Sequence, residues 1–172
     1  MGAKVLHSQE TEFKFTPSGL TDFVVTPSDG KTQSELYMKA LDWVAVTYKN
    51  PKEVLKSQVE NDFIRIDGSS NNLLCVQAVG KTCFLSRYTI EISFKDGKYK
   101  FDVLNLDSYS PQQGWNEFPI DDRSGDLYFN KKGELKGMYR YNGEVADYFN
   151  SLNSSLLSYM KGIDTDSNKG DW

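Results

Sequence analysis

Histidine occurs once in this 172-residue chain, at His7, and cysteine only at Cys75 and Cys83. A lone histidine in the N-terminal stretch, away from any predicted rigid element, disfavours a Ser–His–Asp triad or a Cys–His dyad. Two cysteines without further histidines do not complete a zinc site. The glycines form neither GxGxxG nor GxxxxGK[ST], so the chain has no phosphate-cradling loop. No apolar run approaches the roughly 20 residues of a membrane-spanning helix. Basic surplus is missing too: 20 Lys and Arg stand against 24 Asp and Glu, for a net charge of −4. Affinity for phosphate backbones is carried by clustered cations, and here the lysines are scattered, so nucleic acid is not the expected partner. Residues 1–10 have no signal-peptide core, and Leu6 occupies the place where a myristoylation motif needs Ser or Thr.

What remains is an ordinary globular composition, 13% aromatic and 26% charged, in a chain long enough to bury a core as a single domain. The clearest local signal lies in residues 83–106. Asp96-Gly97 separates two alternating runs, the pattern of a two-residue hairpin whose turn residues both take positive φ. Pairing Lys95 with Lys98 sets Phe94 opposite Tyr99, Ile92 opposite Phe101 and Ile90 opposite Val103, all on one face. The other face is polar, with Glu91 opposite Asp102, a like-charge pair unless Lys100 or Arg87 lies near. The class is α+β, an antiparallel twisted sheet with helices on one face.

Thr32-Gln-Ser-Glu35 is a capping box. It opens a helix with Leu36, Tyr37, Ala40, Leu41, Val44, Ala45 and Tyr48 at helical spacing, stopped by Pro51. Upstream, Leu20 to Val25 is a short strand. Downstream, strands are expected at Val54–Val59 and Phe63–Asp67, with Val59 opposite Ile64 across a turn at Asn61-Asp62. A loop at Gly68–Asn72 follows, then a strand from Leu73 to Ala78 that returns through Cys83. Residues 107–125 read as a long loop, and 126–141 as a small hairpin around Asn130–Gly133. A second helix starts near Asn142, with Val145, Tyr148, Phe149, Leu152, Leu156, Tyr159 and Met160 on one stripe and Gly162 at its end. The expected division is a sheet core over 20–107, loop and hairpin over 108–141, helix over 142–162 and a polar tail over 163–172. The expected core is Leu36, Ala40, Leu41, Val44, Ile90, Ile92, Phe94, Phe101, Val103, Phe149, Leu152 and Leu156.

The candidate chemistry is thin. Cys75 and Cys83 face each other if Gln77 pairs with Lys81. A cross-strand disulfide is open to them, but a hydrogen-bonded pair would strain the bridge, which favours two free apolar thiols. Asp164, Asp166 and Asn168 with Gly170 have the alternation of a calcium loop, but the glycine comes one position late and no closing Glu follows. Asn153-Ser-Ser155 matches a glycosylation acceptor formally. Glu117, Asp121 and Asp122 are the carboxylates that an acid–base hydrolase would use. Tyr109, Trp115 and Phe118 form the most suggestive group. Aromatics in a long loop either pack as a flap or anchor a partner.

The run Ser34-Glu-Leu-Tyr-Met-Lys-Ala-Leu-Asp-Trp43, with the later Tyr88-Thr-Ile-Glu-Ile-Ser-Phe-Lys-Asp-Gly-Lys-Tyr-Lys-Phe101, resembles an uncharacterised family found mostly in Bacteroidetes. It is the domain of unknown function described as having a TATA-binding-protein-like (TBP-like) fold. The likeness covers about residues 20–107. It departs from the family pattern at Lys100, where Arg is frequent, and at Glu60-Asn61-Asp62, where a longer Asp/Gly turn is usual. The resemblance implies a β-α-β-β-β-β core, a further helix after it, and an exported protein whose leader has been removed ahead of Met1-Gly2. It implies no catalytic residue. Nor does the fold name imply DNA binding, because the wet face (Lys56, Arg65, Asp67, Gln77, Arg87, Glu91, Lys100, Asp102) mixes signs. The functional expectation is a non-enzymatic module of the periplasm or cell envelope, a monomer or weak dimer without cofactor or metal. It would bind a protein, glycan or small ligand, with Tyr109, Trp115 and Phe118 as its contact residues. A carboxylate-based hydrolase is the alternative.

Overall fold

The structure is a computed structural model that describes residues 10–162. The expectations placed on His7 and on the Asp164–Gly170 motif lie outside the described residues. In chain order the elements are β1 (Phe15–Thr16), β2 (Gly19–Leu20), β3 (Phe23–Pro27), α1 (Gln33–Thr47), α2 (Pro51–Val54), β4 (Leu55–Val59), β5 (Phe63–Gln77), β6 (Lys81–Lys95), β7 (Lys98–Ser110), β8 (Gly114–Glu117), α3 (Arg123–Tyr128), a 3-10 segment (Gly137–Gly143) and α4 (Glu144–Met160). One antiparallel sheet runs in the order β3-β7-β6-β5-β4, and β8 joins the outer side of β7 beyond the end of β3.

Helix α1 begins where the capping box requires. Thr32 Oγ1 accepts from Glu35 N–H at 3.2 Å, and Glu35 Oε2 accepts from Thr32 N–H at 2.7 Å. The hairpin turn reaches this helix start, since Asp96 Oδ1 accepts from Gln33 N–H at 2.8 Å. Only Gly97 takes positive φ (76°), so Asp96 does not follow the expectation that both turn residues would. The register is the expected one: Phe94 faces Tyr99, Ile92 faces Phe101 and Ile90 faces Val103. These side chains are buried and, with Leu36, Ala40, Trp43 and Val44 of α1 and Phe149 and Leu156 of α4, form one core. Leu41 and Leu152, expected inside, are only partly buried. Helix α4 lies beside α1 on the same sheet face, where Trp43 Nε1 donates to Ser155 Oγ at 3.1 Å. Its Asn153 is no glycosylation acceptor. The side chain is buried, accepts from Tyr99 O–H at 2.9 Å and donates to Thr26 Oγ1 at 3.0 Å.

Several local expectations need correction. Gly68–Asn72 is not a loop but the middle of β5, which pairs with β6 from Phe63 to Gln77 with a bulge between Ser70 and Leu74. Pairing with a long neighbour overrides the turn chemistry of Gly, Ser and Asn, and the bulge absorbs the irregularity. Val59 faces Phe63 rather than Ile64, because Asn61 (φ 62°) makes the connection one residue longer than a two-residue turn. A one-residue slip moves a side chain to the other face, and Val59 is exposed. Leu20 belongs to the β1–β2 ribbon, and the neighbouring strand starts at Phe23. Residues 107–125 are not a free loop: β7 runs to Ser110, turns at once into β8, and α3 begins at Arg123. The hairpin expected over 126–141 reduces to a single bridge, Phe129 to Leu135.

Cys75 and Cys83 are joined in a disulfide, not left as free thiols. The expected register holds, with Gln77 opposite Lys81, but the alternation of hydrogen bonds is the reverse of the one assumed. Ala78 N–H donates to Gly80 C=O at 2.9 Å. Counting back from that bonded pair places Cys75 and Cys83 at a non-hydrogen-bonded position, where backbones approach most closely. Their Cα atoms are 4.0 Å apart.

Candidate functional site

The sheet has a dry inner face and a wet outer one. Outside, Glu91 and Asp102 do stand opposite each other, but each has a cation of its own: Arg65 at 2.6 Å from Glu91, and Lys100 at 2.5 Å from Asp102. Arg87 binds Asp107 at 2.7 Å. Such half-exposed pairs contribute little stability, yet they hold side chains in place and leave the face nearly neutral.

The three sequence-predicted contact residues separate. Tyr109 and Trp115 are cross-strand partners on β7 and β8, with ring centroids 5.4 Å apart. Arg87 lies over Trp115 at 4.4 Å, and Trp115 is 38% exposed. These three side chains make a small aromatic–cationic patch at one end of the outer face. Phe118 is not part of it. It is buried and stacks on Tyr128 at 4.9 Å. The carboxylates Glu117 and Asp121 are both exposed and both bound to Arg123, which holds Asp121 below the usual carboxylate range. Asp122 is exposed as well. Among the described residues, no group of three or more His, Cys, Asp or Glu gathers as a metal site would. No described helix is long and apolar enough to cross a membrane.

A more developed site lies where β5, the end of α1 and the middle of α4 meet. The hydroxyls of Tyr48 and Tyr88 are 3.2 Å apart, and Tyr148 O–H donates to the Tyr88 oxygen, also at 3.2 Å. They sit in a cleft of about 670 Å³ walled by Asn50, Glu53 and Val54 on one side and Asp67, Gly68 and Ser69 on the other. Each tyrosine is placed by its element. Tyr48 ends α1, Tyr148 belongs to the apolar stripe of α4, and Tyr88 points inward from β6. Tyr88 packs edge-to-face on Phe149 (5.4 Å) and Tyr148 (5.6 Å). Opposite it β5 carries Gly68, and a Cβ there would overlap the Tyr88 ring.

Burial pushes the Tyr48 hydroxyl up to about 12, against a hydrogen bond to Tyr88 that lowers it, and pushes Tyr88 higher still, where Tyr48 and Tyr148 add to the effect. Tyr48 and Tyr88 are therefore neutral at physiological pH. The trio offers phenolic donors and acceptors. Sequence reasoning missed this site because it read Tyr48 and Tyr148 as apolar stripe members and Gly68 as a loop residue. The available signal was tyrosine, not phenylalanine, on the inward face of three separate elements, since a buried phenol needs a partner.

The family model described as "Domain of unknown function (DUF4468) with TBP-like fold" matches residues 23–109, half of the chain. The chain belongs to this family. A crystal structure of a DUF4468 family protein from Bacteroides ovatus superposes with a TM-score of 0.62 at 13% identity, over 86% of this chain and 90% of that one. A TBP-like protein from Parabacteroides distasonis gives 0.57 at 12% identity, over 81% and 90%. At such identities the likeness shows the fold alone. No curated protein matches the chain. The DUF4468 match runs from β3 through nearly all of β7, so it takes in Tyr48, Gly68, Tyr88 and Tyr109 but neither Tyr148 nor Trp115.

Proposed function

We propose that this chain is a non-enzymatic binding module of the cell envelope, and that its ligand sits in the tyrosine cleft. The observation that carries the reading is the meeting of three phenol hydroxyls in one open cleft of about 670 Å³, within the size range of small-ligand sites. Convergent polar groups orient a ligand, and the cleft carries three phenol hydroxyls among a largely polar lining. Placement outside the cytoplasm is supported by the Cys75–Cys83 bridge, which persists in oxidising compartments. The hydrolase alternative is weakened by the exposure of Glu117 and Asp121 and by their engagement with Arg123, because a general acid needs a raised carboxyl pKa. Nucleic-acid binding is disfavoured by the internal ion pairing of the outer face.

A thermal-shift screen of the full chain tests the reading, using soluble oligosaccharides, amino acids and short peptides as probes. At least one class should raise the melting temperature, since a ligand at 100 times its Kd adds about 2.7 kcal/mol. The shift should vanish in Tyr48→Phe/Tyr148→Phe. If no probe shifts wild type, or the double variant responds equally, the cleft reading falls. A second reading, protein docking on the outer face, is favoured by Arg87, Tyr109 and Trp115, residue types that dominate interface hot spots. It predicts a partner that is lost on Trp115→Ala and kept on Tyr148→Phe.

A further inference from the structure

Strand β5 is paired with β6 from Phe63 to Gln77, but on its other side β4 covers only Phe63–Ile66. There the covering chain leaves the sheet: Leu55 N–H belongs to α2, donating to Pro51 C=O. At the far end the edge is closed again by the 3-10 segment, where Tyr141 O–H donates to Gln77 Oε1 at 3.0 Å. Between these two covers an edge lies open, from residue 67 to the bulge after Ser70.

The alternation of an antiparallel ladder fixes what this edge presents. Phe94 N–H donates to Asp62 C=O at 2.8 Å, so Asp62 addresses β6, and so do the residues at even steps after it. Phe63, Arg65, Asp67 and Ser69 therefore turn their backbone groups the other way. Strand β4 meets the first two. Ser69 N–H and C=O have no backbone or side-chain partner among the described residues. The Asp67 carbonyl is aimed the same way. The tyrosine cleft opens along this edge, with Asp67, Gly68 and Ser69 as its wall.

We propose that an extended peptide adds to the sheet at Ser69, continuing the line of β4, and drops one polar or basic side chain among Tyr48, Tyr88 and Tyr148. The proposal rests on the cleft reading and names its ligand class. A strand-spaced N–H and C=O pair suits a peptide backbone, as in other strand-addition complexes. A saccharide would use the phenols and ignore that pair. The open edge is only about four residues long, short enough to resist unspecific edge pairing. Glu53 and Asp67 outnumber Lys49 around the cleft, which disfavours an acidic side chain in it.

The experiment is panning of a phage-displayed random dodecapeptide library on the full chain, followed by fluorescence anisotropy of the enriched peptides as synthetic probes. Ser69→Pro deletes the edge N–H without touching a bond to β6, and proline is tolerated on strand edges. It should weaken the peptides about tenfold or more, the worth of one good hydrogen bond, while Ser69→Ala binds like wild type. Hydrogen exchange in unmodified protein gives an independent readout: saturating peptide should protect the Ser69 amide. The proposal is overturned if no peptide is enriched, if Ser69→Pro binds as well as wild type, or if the Ser69 amide stays unprotected in the complex. A saccharide whose binding depends on Tyr148 but not on Ser69 would overturn it while leaving the cleft reading intact.

Discussion

Replacing Gly68 by alanine tests whether this position exists to make room for Tyr88. In a strand interior, glycine costs roughly 0.5–1 kcal/mol relative to alanine, so with space available Gly68→Ala should stabilise. Here the added Cβ would lie 2.5 Å from Tyr88 Cε2 and closer still to Cζ and the hydroxyl. Ordinary contact needs about 3.5–4.0 Å, so the ring must retreat by about 1 Å or more. It cannot retreat freely, because Phe149 and Tyr148 pack edge-on against it. Overpacking of this kind costs about 1–3 kcal/mol. Displacing the phenol also breaks its two contacts to Tyr48 and Tyr148, at about 0.5–1.5 kcal/mol each. Set against the gain from removing glycine, the net loss should be about 2–4 kcal/mol. At about 2–4 °C per kcal/mol for a chain of this size, the melting temperature should fall by about 5–15 °C. Urea denaturation of Gly68→Ala, Tyr88→Leu and the double variant separates the causes. The smaller leucine should absorb the added methyl, so the double variant should be clearly more stable than the sum of the single effects predicts. A Gly68→Ala protein as stable as wild type, or additive effects in the double variant, would refute the reasoning.

Reduction of the Cys75–Cys83 bridge, or Cys75→Ser/Cys83→Ser, removes the closure of a loop with a sequence separation of 8. The chain-entropy estimate is about 2.5 kcal/mol, so dithiothreitol should lower the melting temperature by about 5–10 °C, and an unchanged value would mean the bridge does not constrain the unfolded chain. Phe118→Ala and Trp115→Ala should differ sharply in the same assay. The buried Phe118 should cost about 3–5 kcal/mol, whereas the 38% exposed Trp115 should cost about 1 kcal/mol, and equal losses would contradict the division of this aromatic group. Alkaline titration followed at 295 nm should show Tyr48 ionising near 12, with Tyr88 later. Because the folded pKa of Tyr48 is raised, its contribution to stability is complete below the ordinary tyrosine pKa of about 10 and is lost as pH climbs from there through 12. Tyr48→Phe should flatten that loss, and an identical alkaline midpoint in the variant would rule Tyr48 out as its source.

The sequence carried the parts of the fold that depend on short-range chemistry. The capping box at Thr32–Glu35 and the Asp96-Gly97 hairpin each satisfy their own hydrogen bonds locally, so their residues suffice to place them. Gly68–Asn72 failed because its composition favours a turn and only β6, some twenty residues away, makes it a strand. Val59 failed because one extra turn residue at Asn61 inverts a register that periodicity alone leaves undetermined. The cysteine pair is the closest case. The register was legible, but the parity of the ladder, which decides whether a bridge fits, is set by how the turn at Ala78–Gly80 closes. Of the candidate site, the outer patch was half legible through Tyr109 and Trp115, while the cleft needed three elements far apart in the chain to be brought together.

The clustering of costly features is the strongest argument for the cleft. A glycine in a strand interior weakens the strand. Buried phenols require partners, and here Tyr48, Tyr88 and Tyr148 supply them mainly to one another. A strand edge left uncovered in its middle is something folds normally cover, even where, as here, it is too short for unspecific pairing. Much of the rest of the molecule follows the ordinary rules: Arg65, Arg87 and Lys100 on the outer face are paired, and β4 and the 3-10 segment guard the two ends of β5, while Asn142 Nδ2 is buried without a partner among the described residues. Three exceptions fall together at Gly68, Ser69 and the tyrosine trio. Several local rules broken together at one cleft are what a retained binding site leaves behind.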